Sequence, residues 1–175
     1  MIIKIEGKKN IDCLKKLNNF DNELEERKVS EKWDNKDYIL DPEKQISITN
    51  QLYLKEDFPG KKHVIQEIKY KLNGYKNQDK KKNIYDEHNF IKFDDVLEKI
   101  MLSKLRCYYC RNLIKLVFNN KRDPKQWTLD RIDNDKGHNK DNVIIADLEC
   151  NLKRRRQDEK KFLFSKQVKV ILVDN

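Results

Sequence analysis

Apolar residues recur at the spacing of an α-helix in two long segments of the chain. In the first, which follows Pro59-Gly60, the apolar positions are Val64, Ile65, Ile68 and Leu72. In the second, which follows Phe93, they are Val96, Leu97, Ile100, Met101 and Leu105, and Asp94 and Asp95 suit its first turn. The spacing predicts two amphipathic helices. We expect the first of them to stop at Gly74.

The segment between these two helices is strongly polar. Residues 76–83 are all Lys, Asn, Gln or Asp, a composition that cannot bury apolar surface and predicts a linker or an exposed loop. We therefore place a domain boundary here. Residues 1–83 form a helical and irregular N-terminal region without a recognised role, with a short strand predicted at 2–5 and a helix at 11–17. Residues 84–175 form a C-terminal module with its core at 93–156.

Three short runs of β-forming residues follow the second helix. They cover residues 113–118, 127–129 and 143–145, and turn-forming residues separate them. Asp147 then opens a helix that we expect to run through the basic block at 153–156. This mixture of helices and short strands predicts an α+β fold.

The net charge of the chain indicates which class of molecule it binds. The 175 residues carry a net charge of +9, with 39% charged and 37% hydrophobic residues. A basic protein favours a polyanion because its lysines and arginines release counterions when they neutralise phosphates. No apolar run reaches the roughly 18–20 residues that span a bilayer, and the N-terminus is too short for a signal-peptide core. We expect an intracellular protein that binds nucleic acid and no membrane.

Three of the four cysteines lie in a pattern typical of a zinc site. Cys107 and Cys110 form a Cys-x-x-Cys turn, and Cys150 follows Asp147 at the same spacing. Such a turn places two thiolates on one side of a knuckle, and a second pair closes a tetrahedral structural zinc site. Asp147 stands where a further cysteine is expected, and it is either the fourth ligand or an ordinary helix N-cap. Buried inert thiols are the alternative for the cysteines.

Asp130 and Asn151 form a second candidate site. Asp130 lies at the end of a predicted strand, and Asn151 lies on the helix that follows Asp147. Carboxylate and amide oxygens can together hold a hard divalent cation such as Mg²⁺ or Mn²⁺. Either residue could instead be an ordinary polar residue of the surface. Their position among the cysteines in the sequence favours the interpretation as metal ligands.

These motifs resemble those of the HNH (ββα-metal) endonucleases of phages and large DNA viruses. The resemblance is carried by Cys-x-x-Cys at 107–110, Leu-Asp-Arg-Ile-Asp at 129–133, Lys-Asp-Asn-Val at 140–143 and Cys-Asn-Leu-Lys-Arg at 150–154. It implies a zinc-stapled ββα-metal module, with Asp130 and Asn151 as ligands of a catalytic Mg²⁺ or Mn²⁺ ion. It also implies that the Asn142 side chain pins the loop through backbone hydrogen bonds. It covers residues 93–156 and says little about residues 1–92.

One departure from the family affects the chemistry. The family usually has its general base, a histidine, directly after the position of Asp130, where this chain has Arg131. Arginine stays protonated and cannot accept a proton at neutral pH. His138 is the preferred replacement because an imidazole titrates near neutrality, and Asp133 is the other candidate. Arg131 would then contact the scissile phosphate. Alternatively, His138 is a solvated loop residue. If no group takes the proton, the module cuts poorly or not at all.

The basic block on the last predicted helix is the candidate DNA-contacting surface. It comprises Lys153, Arg154, Arg155 and Arg156. Such residues contact phosphates and do not read bases, and a solvated charged face is the alternative. The sequence as a whole predicts a DNA endonuclease with a structural zinc ion and a catalytic Mg²⁺ or Mn²⁺ ion. The alternative is a degenerate module that only binds DNA. Double-strand cleavage would require a homodimer or two successive nicks.

Overall fold

Six α-helices and one two-stranded sheet make up the regular structure of residues 25–167, the part of the chain that the computed structural model describes. The helices are α1 (Lys36–Leu40), α2 (Pro42–Tyr53), α3 (Lys61–Lys81), α4 (Phe93–Ser103), α5 (Leu148–Arg154) and α6 (Glu159–Gln167), and the strands are β1 (Trp127–Arg131) and β2 (Val143–Asp147). The predicted α+β class is confirmed. The elements predicted at residues 2–5 and 11–17 lie outside the described residues.

Helix α3 differs from the prediction in its length. It begins after Gly60, whose φ of 80° is left-handed, and a Cβ there would lie 2.7 Å from Ile39 Cγ2. It then continues through Gly74 to Lys81. The prediction of a stop at Gly74 and a linker at 76–83 is therefore wrong. Nothing lies within 4 Å of a Cβ built at Gly74, so this glycine sits on the solvent side, where it weakens the helix without breaking it.

The predicted helix after residue 93 is confirmed as α4. Its buried residues are Val96, Leu97 and Ile100. At its N-terminus the Asp95 carboxylate accepts a hydrogen bond from the backbone N–H of Lys92 at 3.1 Å, which satisfies one of the unpaired donors of the first turn. Helix α4 then delivers the chain to Cys107.

Strands β1 and β2 pair antiparallel, and helix α5 follows β2 directly. In the register, Trp127 lies opposite Asp147 and Asp130 opposite Ile144. The predicted strands at 127–129 and 143–145 are confirmed, each extending by two residues. The strand predicted at 113–118 is wrong, because the backbone there forms only isolated bridges at Leu113 and Lys115.

One hydrophobic core joins the N-terminal helices to the sheet. It includes Ile48 of α2, Ile68 of α3, Ile100 of α4, Trp127 of β1 and Val143 of β2. The core therefore crosses the boundary predicted at residue 83, and the described residues show no separate core on either side of it. Within residues 25–167 no helix is long and apolar enough to cross a membrane.

Candidate functional site

Four residues predicted as zinc ligands lie together at the start of α5. One ligand atom from each of Cys107, Cys110, Asp147 and Cys150 lies within 4.8 Å of all the others. A tetrahedral zinc ion with bonds of 2.3 Å to sulfur separates its sulfur ligands by about 3.8 Å, so a small closure of the cluster would enclose one ion. The predicted clustering is confirmed, and the four residues could hold a metal ion.

Asp147 can act as a helix cap and as a metal ligand at the same time. Its Oδ1 accepts a hydrogen bond from the backbone N–H of Cys150 at 2.6 Å, which caps α5. Its Oδ2 lies 3.2 Å from Cys110 Sγ, inside the cluster. The two alternatives left open by the sequence are therefore compatible, because each uses a different oxygen.

The thiols of the cluster do not ionise alike in the absence of a cation. The hydrogen bond between the Cys150 and Cys107 thiols lowers the pKa of Cys107 to about 6, and the same hydrogen bond raises the pKa of Cys150. Burial raises the pKa of Cys110 to about 11. A divalent cation would remove this difference, because metal binding stabilises all the bound thiolates and releases their protons.

A cavity of about 680 Å³ opens on the other side of the β1–α5 unit. It lies between the C-terminal end of α3, strand β1, helix α5 and the loop that joins β1 to β2. The residues predicted for catalysis or DNA contact that line it are Asp130, Arg131, His138, Asn151, Arg155 and Arg156. The sequence therefore predicted much of one wall, and it missed the wall that α3 provides.

His138 is buried and paired with a carboxylate from α3. Its Nδ1 lies 2.7 Å from Asp79 Oδ1, and its backbone N–H donates to Asp79 Oδ2 at 2.6 Å. Because a carboxylate oxygen accepts, the imidazole proton lies on Nδ1, and Nε2 keeps its lone pair. The Tyr75 ring packs against the imidazole, with ring centroids 4.5 Å apart. The alternative of a solvated loop histidine is therefore wrong.

Burial outweighs the neighbouring carboxylate in setting the ionisation of His138. Desolvation lowers the pKa of the imidazole, while Asp79 opposes the change. The ring is therefore neutral at pH 7, which is the state that can accept a proton. Among the described residues, Nε2 has no hydrogen-bond partner, and the residue lines the cavity.

Gly137 permits the close approach of the loop to α3. A Cβ at this position would lie 2.5 Å from the Ile84 carbonyl oxygen and 2.9 Å from Asp79 Oδ2. Any side chain here would push the loop away from the carboxylate that holds His138. The absence of a side chain at 137 is thus a condition for the His138–Asp79 pair.

Asn142 fixes the remainder of the same loop. Its Oδ1 accepts from the backbone N–H of Asp133, and its Nδ2 donates to the carbonyl oxygens of Asp133 and Gly137, each at 2.9 Å. These are loop-pinning hydrogen bonds of the kind that the resemblance implies. Asn142 does not line the cavity, so it positions the loop without reaching a bound molecule.

Asp130 is paired with a buried arginine. Its Oδ2 accepts from Arg154 Nε and from the Tyr109 hydroxyl, both at 2.6 Å, and its Oδ1 accepts from Arg154 Nη2 at 2.8 Å. The Arg154 side chain is fully buried. The prediction that Arg154 contacts DNA is therefore wrong, because its guanidinium is enclosed by the protein and satisfied there.

The other arginines and lysines near the cavity differ in their exposure and in whether their side chains are already paired. Arg131 is buried and donates from Nη1 to the carbonyl oxygens of Asn134 and Lys136, so part of its guanidinium holds the loop. Lys153 forms an ion pair with Glu149 away from the cavity. Helix α5 ends at Arg154 and not at residue 156, and the two arginines that follow it are exposed on the rim of the cavity.

Comparisons with known proteins add no relative. A scan against protein-family models found no match, and neither did searches of curated proteins and of solved structures. The motifs and the geometry of the cavity are therefore the features that indicate a function.

Proposed function

We propose that this protein hydrolyses DNA phosphodiester bonds in the cavity beside β1, with His138 as the general base. The single observation that carries the proposal is the buried Asp79–His138 pair on the wall of a cavity with arginines on its rim. A neutral imidazole oriented by a carboxylate is a common arrangement for removing a proton from a nucleophile. The HNH-like motifs around this pair indicate the class of reaction, which is the hydrolysis of a phosphodiester bond.

The proposed step uses the free lone pair of His138. Nε2 removes a proton from a water molecule while the water oxygen forms a bond to phosphorus. The bond between phosphorus and the leaving 3′ oxygen breaks, and that oxygen takes a proton from solvent. Asp79 keeps the proton on Nδ1 and stabilises the imidazolium that forms. Arg155 and Arg156 lie where they can offset charge on the phosphate.

We assign a structural zinc ion to the cluster of three cysteines and Asp147. The donor set fits zinc because thiolates with one carboxylate form a closed tetrahedral site without an open position for substrate. Such an ion would tie the knuckle at 107–110 to the first turn of α5. Its role here is to hold α5 in place and not to take part in the chemistry.

The expected Mg²⁺ or Mn²⁺ ion does not fit the donor set as it stands. Three of the four acceptor positions of the Asp130 carboxylate are used by Arg154 and Tyr109. Asn151 would add a single amide oxygen, since its Nδ2 donates to Thr128 Oγ1. A hard cation beside a buried guanidinium would face repulsion, and Mg²⁺ requires near-octahedral oxygen ligands. We therefore route no step through this ion.

The Asp130–Arg154 pair favours one other candidate function. If this pair replaces the catalytic ion permanently, the fold would keep its zinc and its DNA surface without turnover. The protein would then be a DNA-binding module. This alternative and the endonuclease differ in one measurable property, the cutting of DNA.

Nicking of supercoiled plasmid DNA by the zinc-loaded protein tests the proposal. We expect wild type to nick and His138→Ala to be slower by about a hundredfold or more, as is typical when a general base is removed, with DNA affinity nearly intact. His88→Ala is the matched control, since His88 is exposed and outside the cavity. Equal rates for wild type and His138→Ala would overturn the assignment.

The metal dependence is measured in the same assay by adding Mg²⁺ or Mn²⁺ to protein that holds only zinc. EDTA is avoided, because it also competes for the zinc ion proposed to hold α5 in place. A wild type that binds DNA but never nicks it, with or without these ions, would establish the DNA-binding module instead.

A further inference from the structure

A second cavity lies beside the first along the same side of α3. Its volume is about 710 Å³, and its lining is more apolar than polar. The two cavities share Tyr75, Gln78, Thr128 and Leu148 in their walls. They are therefore adjacent, and together they are called the groove. It follows α3 from Glu67 to the helix end, a length of about 21 Å at 1.5 Å per residue.

The groove is positively charged. Eight cationic and three acidic side chains line its two halves. Lys82 and Arg155 in the half that contains His138, and Arg122 in the other half, are exposed and form no ion pair with any described residue. Cations spaced along a narrow track match the phosphates of an extended strand.

An aromatic side chain stands free over the second half of the groove. Tyr70 is 70% exposed, although it belongs to the long helix whose neighbouring turns are packed into the core. Exposed aromatic rings beside a cationic track are the platforms on which unpaired bases stack. A duplex hides the faces of its paired bases, so stacking on this ring favours a single strand.

The floor of this second half is formed in part by Phe118 and Lys71. The Lys71 Nζ lies 4.7 Å from the centroids of the Phe118 and Trp127 rings, and burial lowers the pKa of this amine well below its usual value. It donates a hydrogen bond to the Trp127 carbonyl oxygen. Lys71 is thus a structural part of the floor, and the exposed Arg122 is the residue positioned to meet a phosphate.

We infer that the groove along α3 binds a single strand of DNA, with a base stacked on Tyr70 and the strand continuing into the His138 cavity. The inference deepens the proposed function, since the cavity with the proposed base forms one end of the groove. It gives the substrate as DNA that is unpaired next to the cut site.

Fluorescence anisotropy with a labelled oligothymidine tests the groove in a buffer without Mg²⁺ or Mn²⁺, so that binding is measured without turnover. Wild type should bind the single strand more tightly than a hairpin duplex. Tyr70→Ala should weaken binding to the single strand by about tenfold, as loss of one stacking platform does, and Tyr70→Phe should restore it. Tyr53→Ala is the control, because Tyr53 is also exposed but lines a different cavity.

The charge contribution is tested with a second matched pair. Arg122→Gln should reduce the slope of log affinity against log salt by about one, whereas Arg111→Gln should leave it unchanged. Both arginines are exposed with positive φ, 51° and 61°, so any backbone effect is common to the two variants, and Arg111 lies outside the groove.

Three results would overturn the inference: equal affinity for single strand and duplex, no effect of Tyr70→Ala, or tighter binding of the RNA strand of the same sequence. Failure of the proposed function would look different. In that case the Tyr70 and Arg122 effects on binding persist while wild type nicks no DNA.

Discussion

Arg154 shows how one side chain can be assigned to the wrong environment from sequence. It lies in a block of four basic residues, and all four look alike as phosphate contacts. The structure buries this one alone against Asp130. A signal was available, because Arg154 lies four residues after Cys150 and so shares its helix face. Its bidentate pairing with Asp130 could not be predicted, since it depends on how α5 meets β1.

Removing Arg154 should cost far more than removing its neighbour. We expect Arg154→Ala to lower the free energy of unfolding by about 3–5 kcal/mol, because it leaves the Asp130 charge buried without its partner. Arg155→Ala should change stability by no more than about 0.5 kcal/mol, as is usual at an exposed position. Urea denaturation of the zinc-loaded proteins measures both. Equal small losses would contradict the buried ion pair.

Asp147 provides a residue-scale test of the zinc site. The purified protein should contain one zinc ion. Asp147→Asn keeps an acceptor for the cap on α5 but removes the negative ligand, so zinc should be lost more readily to a chelator. Asp147→Cys should hold zinc more tightly, because sulfur replaces oxygen. Elemental analysis and chelator competition measure these effects, and a folded protein without zinc would refute the site.

At the scale of elements, the sequence predicted the part of the fold that carries motifs. The cysteine spacing located the cluster, and the apolar run before Asp147 located β2. The second half of α3 was missed because its residues are almost all polar. A signal lay in the continuation of the buried stripe from Leu72 to Tyr75 and Asp79, at helical spacing. A buried aspartate in a lysine-rich run has no hydrophobic signature, since its burial depends on a partner 59 residues away.

The contact between Asp79 of α3 and His138 of the loop predicts how the rate of nicking depends on pH. The rate of nicking should rise as His138 loses its proton and level off below neutral pH, because burial holds the pKa of the imidazole below its usual 6.5. The Asp79 charge raises this pKa. Asp79→Asn should therefore move the inflection to lower pH and also lower the plateau, since the imidazolium is less stabilised.

Single-turnover nicking across pH measures the inflection, with Asp135→Asn as the control for loss of an exposed carboxylate at the rim of the cavity. An inflection that stays in place in Asp79→Asn would contradict the assignment. So would an inflection above the usual value for histidine.

For the whole molecule, one hydrophobic core extends across the boundary predicted at residue 83. The boundary at residue 83 was predicted from composition alone, and composition does not reveal that Ile68 and Trp127 share a core. We expect residues 84–175, produced alone with zinc, to lack a cooperative thermal transition, because α2 and α3 supply a large part of the apolar surface they pack against. Calorimetry of this fragment beside the full chain measures it. A sharp transition in the fragment would support the two-domain division.

Helix α5 begins at the cluster of Cys107, Cys110, Asp147 and Cys150, so an ion bound there would fix the position of the helix. Asp147 and Cys150 lie in its first turn, and Asn151 follows Cys150 directly. In a zinc-bound protein, the lengths of the bonds to the proposed ion would therefore set how far the amide of Asn151 stands from the cavity floor. Exchange of zinc for a larger thiophilic ion would shift that amide by a fraction of an ångström while leaving every residue unchanged. The proposed ion would thus set the distance between α5 and the cavity through its radius.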